Sequence, residues 1–392
     1  MSERYDICAA VVSDLTFDAR VWKEARSLAS AGYRVKLIGC KYELARTRRR
    51  RENGIDVVEI PLGTRAGRVS LLGRGVTLAR VSMAVLGARA HAYHAHNIHV
   101  GPAAWAASKL RSARLVYDAH ELYAESTSQG VLGRISGRVA KSVENFVVRR
   151  SDAVITTNDS RADQLRKRYG RNDVSVLANV PLRVDEVIPL DPGYPEGVPI
   201  VLYQGGIYAR SRAFREVIAA VARLQVHLVI IGFGRDEDLK LVLRWAAEDG
   251  VAARVHLLPP RPFDELVRTA AAASVGLVPV KADNLSNFLG DTNKLFEYLM
   301  AGLPVAASDL PEIRAVATQG DPPVGELFDP NSPASIAEAV TRILEDPARY
   351  DLRRKEARRL ALERFNWNLE ERRLLDIYEA FLPSRAEVRA PV

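Results

Sequence analysis

The feature that most constrains this 392-residue chain is an alternation of short apolar, strand-like runs with helical segments, repeated on either side of one Pro/Gly-rich stretch. Tyr5–Val12 reads as a buried strand, Val21–Ala31 as a helix closed by Gly32, and Arg34–Gly39 as the next strand, together a βαβ unit. Ile55–Ile60, Ala92–Ala95, Arg114–Asp118, Asp152–Thr157 and Val174–Leu177 continue the strands. Helices are expected over Val69–Leu86, Gly101–Leu110, Leu132–Arg150 and Ser160–Arg168. In the first of these, Val69, Leu72, Val76, Ala79, Met83 and Leu86 fall at three- and four-residue steps, the pattern of an amphipathic helix.

Val187–Pro199 carries four prolines and two glycines in 13 residues, a composition that favours an extended connection over a packed element. The alternation then restarts. Strands are expected at Ile200–Gln204, His227–Gly232, Val255–Leu258, Val275–Pro279 and Val305–Ser308. Helices are expected from Ala213, Leu239, Phe263, Asn293 and Ser335, and one more runs over Arg353–Leu382. Two such arrays predict two doubly wound α/β domains, residues 1–187 and 188–365. A C-terminal helix and tail, 366–392, would be free to pack back on the first domain. Sheets of this kind bind ligands at the carboxyl ends of their strands, so the expected site is a cleft between the domains.

Charge is unevenly spread. Residues 1–190 contain 31 basic and 19 acidic residues, net +12, whereas 191–392 contain 25 and 29, net −4. The excess is concentrated in Arg46 and Arg48–Arg51, and in Arg65, Arg68, Arg74, Arg80 and Arg89, a stretch without an acid. Either solvated faces or contact with an anionic surface would account for it. The basic runs lack interleaved aromatics, which argues against nucleic acid. The first residues mix acid and base ahead of a short apolar run, and no apolar stretch reaches the roughly 18 residues of a membrane span. A cytoplasmic protein is expected, with peripheral contact to an anionic membrane as a further expectation. Cys8 and Cys40 are expected as buried, reduced thiols.

Three stretches of the second half carry candidate chemistry. In Tyr203–Arg212 (YQGGIYARSR) a strand ends at Gly205-Gly206 beside Arg210 and Arg212, which suits either a phosphate or an ordinary tight turn. Gly232-Phe233-Gly234 matches a dinucleotide fingerprint only in part, since Glu237 holds the third glycine position. In Asn284–Ser308, a polar loop with Asp291 as a plausible N-cap leads into a helix with Lys294 and Glu297. Amides near Gly290–Asn293 and the Lys294 ammonium would meet a diphosphate, and Glu297 would accept from sugar hydroxyls. In the first half, Tyr93–His99 and Tyr117–Glu125 place histidines at strand ends. His120, flanked by Asp118 and Glu121, is the stronger candidate because a carboxylate orients an imidazole. His94, His96 and His99 need not converge, so no metal site is expected.

In order and spacing these residues resemble the retaining glycosyltransferases of family 4, which have the two-domain GT-B fold. The strongest part is NKLFEYLMAGLPVAASDLPEI (Asn293–Ile313). YQGG with Arg212, VIIGFG, VHLLPPRPFDELVRTAAAASVGLVPV and FNWN support it, as do DLTFDARVWKEARSLASAGYRV and DAHELY in the first half. The resemblance spans nearly the whole chain.

That resemblance implies a C-terminal domain that binds a nucleoside-diphosphate sugar, UDP- or GDP-linked, and an N-terminal domain that binds a hydroxyl acceptor. Glu297 would contact the ribose, and Asn293 and Lys294 would lie at the diphosphate. Gly205, Gly206, Arg210, Arg212, Gly232, Gly234 and Arg261 would complete the donor site, with the base near Pro260–Pro262. His120 and Glu121 would be the catalytic pair. Asp18, Arg20, His96, Asn97 and Asn287 would be acceptor or sugar contacts. Retention without a metal cofactor is implied as well, cations and helix amides facing the departing diphosphate. Three positions depart from the family pattern. Leu289 stands where the first motif glutamate is usual, with Asn284 or Asn287 as substitutes. Gly206 stands at an arginine slot, and Ala213 replaces a glycine. The same fold would also serve an epimerase, a phosphorylase or a non-catalytic nucleotide-sugar-binding subunit. Polysaccharide, glycolipid and secondary-metabolite acceptors all fit.

Overall fold

Buried aliphatic runs become the parallel strands of two separate sheets, and the amphipathic segments between them become helices. The computed structural model describes residues 4–42, 44–62, 71–123, 125 and 131–382. The chain forms two compact units, residues 1–178 with 370–392 and residues 179–369. The Pro/Gly-rich stretch lies within the second unit, where Leu190 N donates to Arg268 O (3.0 Å) and the buried Tyr194 hydroxyl donates to Thr269 O (3.1 Å).

The first unit contains β1 (Tyr5–Asp14), α1 (Ala19–Ser30), β2 (Val35–Lys41), β3 (Arg48–Glu52), β4 (Ile55–Pro61), α2 (Leu71–Gly87) and β5 (Ala90–Ala95). It continues with α3 (Gly101–Leu110), β6 (Arg114–Ala119), α4 (Val131–Val148), β7 (Ala153–Thr156), α5 (Asp159–Tyr169) and β8 (Val174–Val176). Its sheet runs β3-β4-β2-β1-β5-β6-β7-β8, parallel except for β3, which pairs antiparallel with β4. Chain order reverses between β1 and β5, so a crevice is expected where those two strands end. Cys8 and Cys40 are buried free thiols, each pushed up to about 12 by burial.

Two local expectations are corrected here. The arginine run, read as a charged cluster, is the edge strand β3, extended because it pairs with β4. The stepped apolar set on α2 does not face the sheet: Val76, Ala79 and Met83 are exposed, while Thr77, Val81 and Val85 point inward. That inward row of compact β-branched side chains, at four-residue spacing, lets the helix lie close on the strands. Val69, Arg65 and Arg68 lie outside the described residues.

The second unit contains β9 (Ile200–Gln204), α6 (Phe214–Val221), β10 (His227–Ile231), α7 (Asp236–Glu248), β11 (Val255–Leu258), α8 (Leu266–Ala271) and β12 (Val275–Val278). It continues with α9 (Leu285–Phe288), α10 (Asn293–Ala301), β13 (Val305–Ser308), α11 (Pro311–Ala317), β14 (Gly325–Phe328), α12 (Pro333–Leu344) and α13 (Pro347–Glu363). Its parallel sheet runs β11-β10-β9-β12-β13-β14, with the reversal between β9 and β12. Val201, Tyr203, Phe214, Leu228, Ile230 and Leu277 form the centre of its core. α9, α11 and β14 are too short to have left a periodic signal in the sequence.

The expected single helix over Arg353–Leu382 is two, α13 and α14 (Trp367–Glu379). At the break, Asn366 Nδ2 donates to Ala361 O (3.1 Å) and Leu362 O (2.9 Å), and Trp367 N donates to Pro181 O (2.8 Å). From Glu370 onward the chain belongs to the first unit: Ala178 N donates to Glu370 Oε2 (2.9 Å), and Tyr33 OH donates to Leu382 O (2.8 Å). Among the described residues no helix is long and apolar enough to cross a membrane.

Candidate functional site

In the second unit the candidate residues gather where β9 ends. Gly205 follows the last residue of β9 with φ +128°, a conformation that favours glycine. A Cβ there would lie 3.5 Å from Lys294 Cε. Gly205 N donates to Ile231 O (2.9 Å) and Ile207 N to Phe233 O (2.8 Å), so the loops after β9 and β10 run side by side. Gly232 and Gly234 serve that approach, because a Cβ on Gly232 would fall 1.9 Å from Gly205 O and one on Gly234 2.7 Å from Ile207 O. Their lack of a side chain is thus used within the protein. Arg212 is half-buried with its guanidinium 5.7 Å from the Tyr208 ring, whereas Arg210 is exposed. Ala213 adopts a left-handed conformation (φ +48°) that costs a non-glycine residue roughly 1–2 kcal/mol, which accounts for the glycine usual at this position.

α10 supplies the other side. Lys294 is buried, its Nζ 4.9 Å over the Tyr203 ring and donating to Thr292 Oγ1 (3.0 Å). Burial, then the nearby Arg212, push its ammonium down to about 7 against the pull of Glu297. Glu297, one turn on, accepts from Gln204 Nε2 (2.8 Å). Tyr298 OH donates to Leu202 O (3.0 Å) and accepts from Gln204 N (3.0 Å), fixing the helix on β9. The N-cap is Thr292 rather than Asp291, and the Thr292 side chain makes no capping bond. Gly205, Lys294, Glu297 and Gln204 therefore form one cluster. Gln204 is legible in the sequence only as a polar residue ending the aliphatic strand β9.

The other expected donor contacts make none of that cluster's bonds. Asn293 is exposed at the start of α10. Arg261 points back to Pro192 O (3.5 Å) and Glu265 (4.0 Å). Asn284 is the N-cap of α9, accepting from Asn287 N (2.8 Å), and Asn287 Nδ2 donates to Asp283 (2.5 Å). Both amides take part in this turn. Leu289, at the place of the family glutamate, is buried.

In the first unit a buried polar network underlies His120. Arg20 Nε and Nη2 donate to Asp118 Oδ2 (2.8 Å) and Oδ1 (3.1 Å), and Nη1 donates to Leu177 O (2.7 Å). Arg20 Nε also lies 2.9 Å from Glu24 Oε1. His120 Nε2 is 3.0 Å from Asp118 Oδ2, and the ring is 19% exposed. Burial raises the Asp118 carboxyl, but Arg20 and His120 outweigh it and hold the group well below the usual range. Asp118 is therefore an acceptor, and Nε2 of His120 carries the proton between them. Glu121, expected beside His120, is exposed, and Asp118 is the carboxylate in contact. Asp18 caps α1, accepting from Ser13 Oγ (2.5 Å), and Asn97 is buried, accepting from His99 N (3.2 Å).

His94 and His96, not expected to converge, stack with ring centroids 3.9 Å apart, whereas His99 turns to Tyr123. Tyr378 of α14 bonds His94 Nδ1 through its hydroxyl (2.9 Å). Glu24, His94, His96 and Asp118 offer one ligand atom each within 4.8 Å of one another, a donor set suited to a divalent ion. Arg20 is the cation that contacts this set, through Glu24 and Asp118. Its positive charge cancels Asp118. Burial, reinforced by Asp118 against the pull of Arg20, keeps the Glu24 carboxyl well above its usual range, toward the neutral acid. Burial first, and a neighbouring cation or imidazole next, keep His94 well below and His96 below the usual imidazole range. His96 and Arg20 lie in this buried layer and not on an acceptor surface.

Residues 18–179 match the glycosyl transferase 4-like domain, and residues 198–346 match the glycosyl transferases group 1 family. The chain is 25% identical over 311 residues to a D-inositol 3-phosphate glycosyltransferase of Rhodococcus opacus, covering 73% of this chain and 66% of that protein. The match thus spans just under two-thirds of that relative. An alpha-maltose-1-phosphate synthase of Mycolicibacterium smegmatis is 27% identical over 312 residues, 73% of this chain and 78% of that protein. A sucrose-phosphate synthase structure from Thermosynechococcus elongatus superposes with a TM-score of 0.79 at 19% identity, over 96% of this chain and 99% of that one. Anabaena Alr3699/HepE in complex with UDP and glucose gives 0.68 at 16% identity, over 96% and 100%. With both sheets wound as that fold requires and both halves matched, the chain belongs to the family 4 glycosyltransferases of GT-B fold.

Proposed function

We propose that this protein transfers a sugar, with retention of anomeric configuration, from a nucleoside-diphosphate sugar to a hydroxyl acceptor. The observation that carries the reading is the cluster at the end of β9: a buried Lys294, a side-chain-free backbone at Gly205, and Glu297 held by Gln204. Diphosphate departure leaves oxocarbenium-like charge on the sugar, so Lys294, Arg212 and the N-terminal amides of α10 stabilise the leaving group where it forms. These groups meet the diphosphate charge without a metal. Glu297 accepts from the ribose. Solved neighbours hold UDP with glucose or UDP-2-fluoro glucose, which favours a uridine donor over guanosine. In the first unit His120, oriented by Asp118, is the catalytic side chain of this reading, and that unit receives the acceptor.

A second reading has one observation behind it. Leu289 is apolar and buried where a donor-sugar glutamate is usual, and the nearby amides are used in their own turn. A nucleotide-sugar-binding subunit without turnover would have this site. Thermal shift against UDP, GDP and their sugars, followed by product analysis with simple glycoside acceptors, separates the two. A shift with one nucleotide and a new α-configured glycoside from an α-linked donor support transfer. A shift with no product from any acceptor favours the binding subunit, and no shift at all removes the donor site.

A further inference from the structure

The pleat of β3 divides the arginine run into two sets. Arg48 and Arg50 point to one face, where both reach the buried Glu59, Arg50 also pairs with Glu52, and the Arg50 guanidinium lies 5.5 Å from the Trp22 ring. Arg49 takes the other face, with Val58 opposite it across the strand pair. There it shares with Arg46 and Arg80 an open groove of about 500 Å³ floored by Val58 and Ile60 and walled by Met83. Arg46, Arg49 and Arg80 are exposed and make no ion pair among the described residues. No acidic residue occurs between Glu59 and Asp118.

On α2 the same face is apolar. Met83 is 63% exposed and Val76 44%, one two-turn step apart, with Ala79 between them and Arg80 alongside. A solvated helix face is expected to be polar, and this one is not. Large side chains left in water beside guanidinium groups that make no ion pair among the described residues are what an interfacial helix presents to lipid: an apolar stripe for the acyl boundary and cations for the headgroups.

We propose that this face of the first unit, the outward stripe of α2 with Arg46 and Arg49, docks on the surface of an anionic phospholipid bilayer. Arg46, Arg49 and Arg80 meet lipid phosphates while Met83 and Val76 enter the headgroup–acyl boundary. The proposal concerns the location of the enzyme and stands apart from the donor reading, so it survives even if no nucleotide binds.

The test is co-sedimentation of the full-length protein with vesicles of phosphatidylglycerol or of phosphatidylcholine alone, at low and high salt. Binding is expected to phosphatidylglycerol at low salt only. Removing one arginine contribution weakens partitioning roughly fivefold, so reversing two charges in Arg49→Glu/Arg80→Glu should weaken it at least ~25-fold. Met83→Asp should weaken it too, by taking an apolar anchor from the interface. A charge-matched control in the second unit, Arg223→Glu/Lys240→Glu, uses two exposed residues outside any ion pair and should bind as wild type. All these side chains are exposed, so unchanged melting temperatures exclude unfolding as the cause. Absence of binding to phosphatidylglycerol at low salt overturns the proposal. So does equal loss in the control pair, which would reduce the effect to net charge, or full binding by both groove variants.

Discussion

Arg20 and Asp118, 98 positions apart, form a two-point ion pair with side chains 2% and 0% exposed. Arg20→Met would strand the Asp118 carboxylate in a dry interior, at a cost of about 3–5 kcal/mol. Chemical denaturation followed by circular dichroism measures it. Because the folded carboxyl is held well below its unfolded value, the pair contributes fully above about pH 4, and the contribution is lost only as pH falls through the folded value. The difference between wild type and variant should therefore shrink in strong acid. A loss below 1 kcal/mol at pH 7 would count against the buried pair.

Lys294 gives the donor site a pH dependence. With its ammonium at about 7 in the empty site, much of it is neutral at pH 7.5, and a bound diphosphate draws the proton back. Donor affinity should fall as pH rises above about 7, approaching tenfold per unit, with net proton uptake on binding. Calorimetry of UDP binding in buffers of different ionisation enthalpy reads that uptake directly, and Lys294→Met should abolish it. For the unliganded protein the sign is opposite. The unfolded lysine binds the proton up to about 10.5, so stability should rise with pH between about 7 and 10.5.

Gly232→Ala places a methyl carbon 1.9 Å from the Gly205 carbonyl oxygen, which is closer than any contact backbone tolerates. The loops after β9 and β10 must part, at a cost of about 1–3 kcal/mol, and Gly205 must leave its place beside Lys294. A lower melting temperature together with a raised donor KM is expected. A variant with wild-type KM and stability would mean that the two loops are not held as described.

Glu297→Ala and His120→Ala should separate binding from turnover. The first removes the proposed ribose acceptor and releases Gln204, so donor KM should rise by about tenfold or more with little change in kcat. The second removes the group oriented by Asp118, so kcat should fall by about 100-fold or more while UDP affinity is kept. Steady-state kinetics with a fixed acceptor gives both numbers, and the reverse pattern would exchange the two roles.

Most strands and long helices were legible because burial writes itself as runs and steps: the aliphatic cores of β1, β9 and β10 admit few other readings. The same logic misread α2, since a periodic apolar stripe names a face without saying what covers it. Short elements escaped altogether. β3 reads as a solvated charge cluster until β4 is known to lie beside it, and α9 and β14 are only four residues long. The predicted Lys294–Glu297 helix turn was local, set by three-residue spacing, and so could be placed from the sequence.

By itself, then, the sequence determined the alternation that winds two parallel sheets, the family likeness, and the positions of Lys294 and His120 at element ends and of Glu297 one turn into α10. Only the tertiary structure decided which carboxylate serves His120, since α1, β5, β6 and α14 deliver Arg20, Glu24, His94, Asp118 and Tyr378 to one buried layer from across the chain. Tertiary packing alone also decided that Gly232 and Gly234 act on the neighbouring loop and that Arg48 and Arg49 part to opposite faces. The reason is the same in each case. Periodicity records a residue's relation to its own helix or strand, whereas hydrogen bonding and charge compensation depend on which other elements the sheet order brings alongside.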